Sequence, residues 1–357
     1  MFTKRENTMI SKAPERRRGP LVWIKRALVG IIAALLALAL IGATYQAIAT
    51  QIDKRTYPPP GNMVEVNGHL MHINCVGEGG PTVIFESGLA NMSADWANIQ
   101  PQVAKTTRAC SYDRAGTGWS EPGPTPRDPK QISRELHTLL TKAGIDGPYV
   151  LVGQSFGGLY VRMYADLYPK EVAGMVLVDS SHPDMWTRMP PEVAATLKPP
   201  AWQVGAMTFL TRLGVFRLTG GDMSECGLPV RQCKEEQAYF ATTRRWVIWG
   251  QEMRAPERDA QVRRTANLGD KPLVVLSAVD HSRDFAAGVS PRARTQFEHT
   301  WLNLQSELAA LSTNSIHKVV EGAGHSTLQF DREDAQKTIA AILRVVKAVR
   351  TDQPLTR

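Results

Sequence analysis

Gly153-Gln154-Ser155-Phe156-Gly157-Gly158 stands between an apolar run, Tyr149 to Val152, and a stretch of helical periodicity that begins near Leu159. A strand that bends this tightly into a helix needs glycines on both sides of the bend, because any side chain there clashes as Ser155 is lifted above the sheet. The helix N-terminus behind the bend favours negative charge developing beside it. The turn therefore predicts a strand followed by a helix, with a candidate nucleophile at the apex.

A serine hydroxyl needs a base within hydrogen-bond reach before it attacks anything. The candidate is His325, in the loop Gly322-Ala323-Gly324-His325-Ser326 just past an apolar run at Ile316 to Val320. His69 and His72 lie on a strand, and His137 and His299 in helical stretches, so none is as free to reach a neighbouring loop.

Around these residues the chain reads as alternating elements. Met63 to Val66 and Leu70 to Cys75 flank Asn67-Gly68, a strong hairpin signal. Thr82 to Phe85 and Arg108 to Tyr112 are further strands, followed by strands at Tyr149 to Val152, Val172 to Val178, Leu273 to Leu276 and Ile316 to Val320. Ile132, Leu136, Leu139 and Leu140 form a helical stripe stopped at Gly144, and Trp301 to Leu311 and Ile339 to Val349 form two more. The pattern predicts an α/β fold with a mostly parallel central sheet, helices on both faces, and a core of residues 62–182 and 269–350. Residues 183–268 interrupt the alternation and are expected to be an inserted helical cap.

The 357 residues carry a net charge of +8, and residues 1–26 account for most of it with eight Lys or Arg against Glu6 and Glu15. The rest is nearly neutral, which leaves no electrostatic footprint for nucleic acid. The basic tail abuts a charge-free run, Ala27 to Ile52. Residues 27–49 as a helix span roughly 35 Å, enough to cross a hydrocarbon core of about 30 Å. A single transmembrane signal anchor is expected, with residues 1–26 cytoplasmic by the positive-inside rule and the body beyond a 50–61 linker on the extracytoplasmic side. Pro58-Pro59-Pro60-Gly61 makes that linker a stiff segment, neither helix nor strand. Ala47-Ile48-Ala49 also resembles a signal-peptidase site, so secretion after cleavage near Ala49 is the alternative.

Taken together, Phe85-Glu86-Ser87-Gly88-Leu89, Tyr112-Asp113-Arg114-Ala115-Gly116-Thr117-Gly118-Trp119-Ser120, the Ser155 turn, Val176-Leu177-Val178-Asp179 and the His325 loop resemble the α/β-hydrolase superfamily, in its branch with a cap after the sixth strand. The resemblance covers about residues 62–350. It implies a serine hydrolase acting through an acyl-enzyme on Ser155 with His325 as general base and no metal or cofactor. It also implies an oxyanion hole from the backbone N–H groups of Leu89 and Phe156, where loss of one donor costs roughly 2.7–4 kcal/mol of transition-state stabilisation. Gln154 sits where relatives commonly have His, and Ser87-Gly88 where many have His-Gly. Asp113 and the Gly116-Thr117-Gly118 turn are read as structural.

The acid of the triad belongs on a loop at the carboxyl end of a strand, before His325 in the chain. Asp280 is the first expectation, although family members usually place the acid one residue later, where this chain has His281. Asp179 is the chief rival, with Asp184 and Asp284 behind it. Family topology makes Cys75 and Cys110 neighbours, and export makes Cys75–Cys110 and Cys226–Cys233 disulfides expected. In the cap, Trp186, Trp202, Trp246, Trp249, Met185, Met207 and Met253 either line an apolar acyl pocket or form the cap's own core. Dehalogenases and epoxide hydrolases of this fold need Asp in place of Ser155. The expected substrate is a small ester. The alternatives are an amide, cleaved by an aminopeptidase of the proline iminopeptidase type using Glu225, Glu235, Glu236 or Glu252, and a catalytically inactive binding module. Substrate identity and oligomeric state stay open at this level.

Overall fold

The computed structural model describes residues 20–220, 226–255, 257–281 and 288–356. The basic tail up to residue 19, Glu225 and Asp284 lie outside them. One mixed sheet of eight strands organises the chain: β1 (Asn62–Val66), β2 (His69–Val76), β3 (Thr82–Glu86), β4 (Ala109–Tyr112), β5 (Tyr149–Gln154), β6 (Val172–Val178), β7 (Leu273–Ala278) and β8 (Ser315–Val320). Their spatial order is β1-β2-β4-β3-β5-β6-β7-β8. β1, β2 and β4 pair antiparallel, and all remaining neighbours are parallel. Asn67 and Gly68 both hold positive φ, 51° and 90°, which is the conformation a two-residue hairpin turn demands.

The central strands are apolar on both sides because helices cover both faces. Successive residues of β5 divide between the layers. Leu151 joins Met175, Leu177 and Val275 on one face, and Val150 and Val152 join Val176, Val178 and Val274 on the other. The first face is covered by α3 (Pro129–Lys142), α4 (Gly157–Leu167) and part of α12 (Pro291–Ala309), and the second by α14 (Arg332–Thr351) and α2 (Gln100–Val103). Asp128 caps α3 by accepting from the Gln131 N–H at 2.8 Å, with Pro129 at the first helical position. The short α13 (Thr327–Phe330) follows the His325 loop.

Between β6 and β7 the described chain is helical: α5 (Met185–Arg188), α6 (Pro191–Leu197), α7 (Ala201–Arg212), α8 (Val215–Thr219), α9 (Val230–Phe240), α10 (Thr243–Met253) and α11 (Arg258–Arg263). Both expected disulfides are present, Cys75–Cys110 and Cys226–Cys233. The first joins register partners on β2 and β4.

The N-terminal helix α1 (Pro20–Thr56) is long and apolar enough to cross a membrane, with a mean hydropathy of 2.6 over its most apolar window. It runs further than the sequence suggested, through residues 50–56 of the expected linker. The extension is held by the cap. Gln46 donates to the Ala241 carbonyl at 2.7 Å, and Arg217 pairs with Asp53 at 2.6 Å and donates to Gln46 Oε1 at 2.8 Å. Helix formation stops only where Pro58 removes the next N–H. The following segment is tied to the core, where Trp119 Nε1 donates to the Tyr57 carbonyl at 2.9 Å.

Candidate active site

Ser155 sits between β5 and α4 with φ +52°, a left-handed conformation that few side chains adopt without strain. The glycines around it are fixed by space. A Cβ on Gly153 would lie 2.7 Å from Gly157 backbone atoms, one on Gly157 2.4 Å from the Glu86 carbonyl oxygen, and one on Gly158 2.4 Å from Ser180 Cβ. The bend is pinned to the next strand, with Ser155 N–H donating to the Val178 carbonyl at 3.2 Å and the Ser181 N–H donating to the Ser155 carbonyl at 2.9 Å.

His325 is brought to the same end of the sheet by the loop after β8. Its Nδ1 lies 2.6 Å from Asp179 Oδ2. Asp179 closes β6 with φ +42° and has no exposed surface. Its other oxygen accepts from Trp301 Nε1 at 2.7 Å and from the Ala278 N–H at 2.9 Å, and His281 Nε2 stands 3.4 Å from Oδ2. Burial alone would raise the Asp179 pKa. The hydrogen bonds from His281 and His325 and their electrostatic pull override it and hold the carboxyl well below the usual carboxylate range.

The carboxylate that His325 meets is not the one first expected. Asp280 is exposed on the loop past β7, whereas the buried carboxylate on His325 Nδ1 belongs to Asp179. The Asp280 N–H donates to the Ala323 carbonyl at 3.0 Å. Asp184, the weaker rival, pairs with Arg263 in a half-buried position. Gln154, beside the serine, places its amide nitrogen 3.3 Å from His325 Nε2.

The loop after β3 faces the bend, and a Cβ on Gly88 would come 3.3 Å from Ser155 Cβ. Among the described residues, the backbone N–H groups of Leu89 and Phe156 enter no turn or ladder bond. A buried guanidinium that the sequence did not single out stiffens this loop. Arg114 donates to the Ser87 carbonyl at 2.7 Å and the Gly88 carbonyl at 2.6 Å, pairs with Glu86, and meets Glu252 of α10 at 2.8 Å. Glu252 in turn accepts from the Ala90 N–H at 2.9 Å. Burial pushes Glu86 up to about 7, against the pull of Arg114. The only sequence signal for this brace was the Asp113-Arg114 pair itself, since its partner lies 138 residues away.

Asp113 is structural, as its surroundings require. It bonds His72 Nδ1 at 2.9 Å and accepts from the Ser93 and Trp119 N–H groups at 2.7 and 3.0 Å. A Cβ on Gly118 would lie 2.3 Å from its carboxylate. Two of the cap carboxylates lie on α9. Glu235 pairs with Arg231 at 2.8 Å, and Glu236 faces Asp95 across the boundary between cap and core. Burial pushes Asp95 up to about 6, and burial together with the Asp95 charge raises Glu236 well above its ordinary value.

The cap aromatics divide three ways. Trp186, Trp249 and Met253 pack with Leu89, Phe156 and Leu159 beside the serine. Trp246 packs on Phe216 and Phe240 inside the cap, and Met185 joins Met189, Phe297 and Trp301. Met207 is half-buried on α7, and Trp202 points outward, 70% exposed. No group of three or more His, Cys, Asp or Glu able to hold a metal is found among the described residues.

A family model described as alpha/beta hydrolase fold matches residues 81–222. Among curated proteins, the chain is 25% identical to an uncharacterized protein, YqjL, of Bacillus subtilis over 251 residues, 70% of this chain and 78% of that one. An uncharacterized vacuolar membrane protein of Saccharomyces cerevisiae is 33% identical over 109 residues, 29% of this chain and 17% of that protein. The chain spans less than half the length of several other curated relatives it matches. A solved structure of a putative epoxide hydrolase from Pseudomonas aeruginosa superposes with a TM-score of 0.58 at 17% identity, covering 81% of this chain and 96% of that one.

Proposed function

The chain belongs to the α/β-hydrolase superfamily, and on that premise we propose that it is a serine hydrolase cleaving a small ester through an acyl-enzyme on Ser155. The observation that carries the reading is the 2.6 Å contact between His325 Nδ1 and the buried Asp179 carboxylate, at the same end of the sheet as a serine held at φ +52°. Asp179 keeps the proton of His325 on Nδ1, which leaves the Nε2 lone pair to take the proton of Ser155 as its oxygen attacks the ester carbonyl. The negative charge that develops on the carbonyl oxygen is met by the N–H groups of Leu89 and Phe156. His325 then returns the proton to the leaving alcohol. Water, deprotonated by the same nitrogen, releases the acid and restores Ser155.

An ester is favoured over a peptide amine because two of the cap carboxylates named for amine capture, Glu252 and Glu235, are already ion-paired. Glu252 is committed to Arg114 and the Ala90 N–H, and Glu235 to Arg231. Trp186, Trp249 and Met253 supply an apolar wall for the acyl group. The long apolar helix α1 is read as an anchor, with the catalytic body on the extracytoplasmic side; the two disulfides suit that compartment.

The test is turnover of p-nitrophenyl esters of rising chain length beside amino-acid naphthylamides, using the full chain in detergent. Ester turnover is expected, with kcat falling about a millionfold in Ser155→Ala. A fluorophosphonate probe should label the wild type and not the variant. Turnover of the naphthylamides alone overturns the ester reading, and a Ser155→Ala protein of undiminished activity overturns the serine mechanism.

A further inference from the structure

Helix α7 turns an apolar face to the outside. Between Pro199 and Thr211 the chain carries no charge. Trp202, Ala206 and Phe209 follow one another at helical spacing on its outer side; Trp202 is 70% exposed and Phe209 59%. Leu218, on α8, is 72% exposed. The opposite side of α7 buries Val204, which lies against Gly250 of α10. An ordinary surface helix puts charge where α7 puts Trp202 and Phe209, and a contiguous apolar patch of this kind marks a contact surface.

The position of the patch says what covers it. The stripe continues to Leu213, whose carbonyl oxygen would be 2.4 Å from a Cβ on Gly42 of α1, and Gly214 packs on Tyr45. The part of α1 without polar side chains ends at Ala43, one residue past Gly42, while the charge-free run continues to Ile52. If α1 crosses a bilayer, the end of α7 therefore meets it at the outer boundary of the hydrocarbon. The Arg217–Asp53 pair and the Gln46 bond to Ala241 hold the cap there. Tryptophan is the side chain that settles best at such a boundary.

We infer that the outer face of α7 and α8 lies in the leaflet that α1 leaves, so that the cap is itself a membrane-embedded element. The inference rests on the reading of α1 as a membrane span. It deepens the proposed function by naming the substrate class: esters dissolved in the bilayer, which reach the cap by lateral diffusion. A second copy of the chain on the same stripe is the competing occupant. The leaflet is favoured because the stripe is continuous with the apolar surface of α1.

The experiment reconstitutes the full chain into phosphatidylcholine vesicles with brominated acyl chains. Flotation after alkaline carbonate tests α1, and fluorescence quenching tests the cap. Trp202→Phe is expected to remove part of the bromolipid quenching seen in the wild type, since Trp23 on α1 is common to both. A Trp202→Glu, Phe209→Glu double variant should keep its Tm and its turnover of a soluble ester within about twofold, and lose about tenfold or more on a long-chain ester carried in the vesicles. Flotation with quenching unchanged by Trp202→Phe overturns the inference and leaves the anchor standing. Quenching at Trp202 without carbonate-resistant flotation overturns the anchor and the inference that rests on it, and loss of both likewise overturns both. A dimer in detergent that the double variant converts to monomer, with no Trp202 quenching in vesicles, assigns the stripe to a second copy and overturns the inference.

Discussion

Exchanging the Asp179 carboxylate for an amide removes a negative charge that burial isolates from water and that two histidines and Trp301 surround. Asp179→Asn is therefore expected to lower kcat roughly ten-thousandfold while Trp301 and Ala278 keep an acceptor at Oδ1. Asp280→Asn, on an exposed loop, should leave kcat within a fewfold of wild type. Steady-state kinetics of the two folded variants separates them, and the reverse ranking returns the role to Asp280. Chain order admits either acid, since both precede His325 and both follow parallel strands. What favours Asp179 is a ring of partners from residues 278, 281, 301 and 325, none of them local to it and so invisible to spacing. A second residue-scale prediction concerns Asp95. Its folded pKa of about 6 lies above the ordinary value of 3.8, so the folded protein holds a proton that the unfolded chain releases, and stability falls as pH rises through that window. Asp95→Asn should flatten that fall and raise stability at pH 7 by on the order of 2 kcal/mol, read as Tm against pH. An unchanged Tm profile would show that the pair with Glu236 is not strained.

At the scale of elements, Glu252 on α10 links the cap to the loop that carries Leu89. Glu252→Gln weakens a buried ion pair and loosens that loop. A loss of about 3 kcal/mol in stability is expected from the pair, with kcat lower by about a hundredfold from misplacement of the donor. Stability loss at unchanged kcat would reduce Glu252 to a purely structural role. The β2–β4 disulfide makes a separate claim. Replacing Cys75 and Cys110 by Ala should cost about 2–4 kcal/mol, measured by urea unfolding under oxidising conditions. These elements were legible to unequal degrees. Strands β5, β6 and β7 are continuous apolar runs, and the Asn67-Gly68 hairpin needs positive φ at both residues, so local chemistry announces them. The Ser155 bend announces itself for the same reason. Arg114 does not, because its significance lies in Glu252, and helix α7 does not, because a helix whose one charge is the terminal Arg212 reads as core until the exposure of Trp202 and Phe209 is known. The end of α1 was misplaced for a related reason, since Arg217 and Ala241 hold residues 46–53 in helix from a distant part of the chain.

For the whole molecule, the asymmetry of charge around α1 predicts a direction. Eight basic residues precede the apolar run, and Asp53, Lys54 and Arg55 leave only a small excess after it. Alkaline phosphatase fused after Asn62 should be active in a bacterial host. A well-expressed but inactive fusion reverses the orientation, and a mature N-terminus at Thr50 replaces the anchor with a cleaved signal. The same helix also decides how the parts can move. It is joined to the cap through Arg217 and Gln46, the cap to the core through Glu252 and Arg114, and the core back to the end of the helix through Trp119 and Tyr57. Three bodies linked at three joints form a triangulated frame, and a triangle, unlike a jaw, has no single joint about which one side can swing.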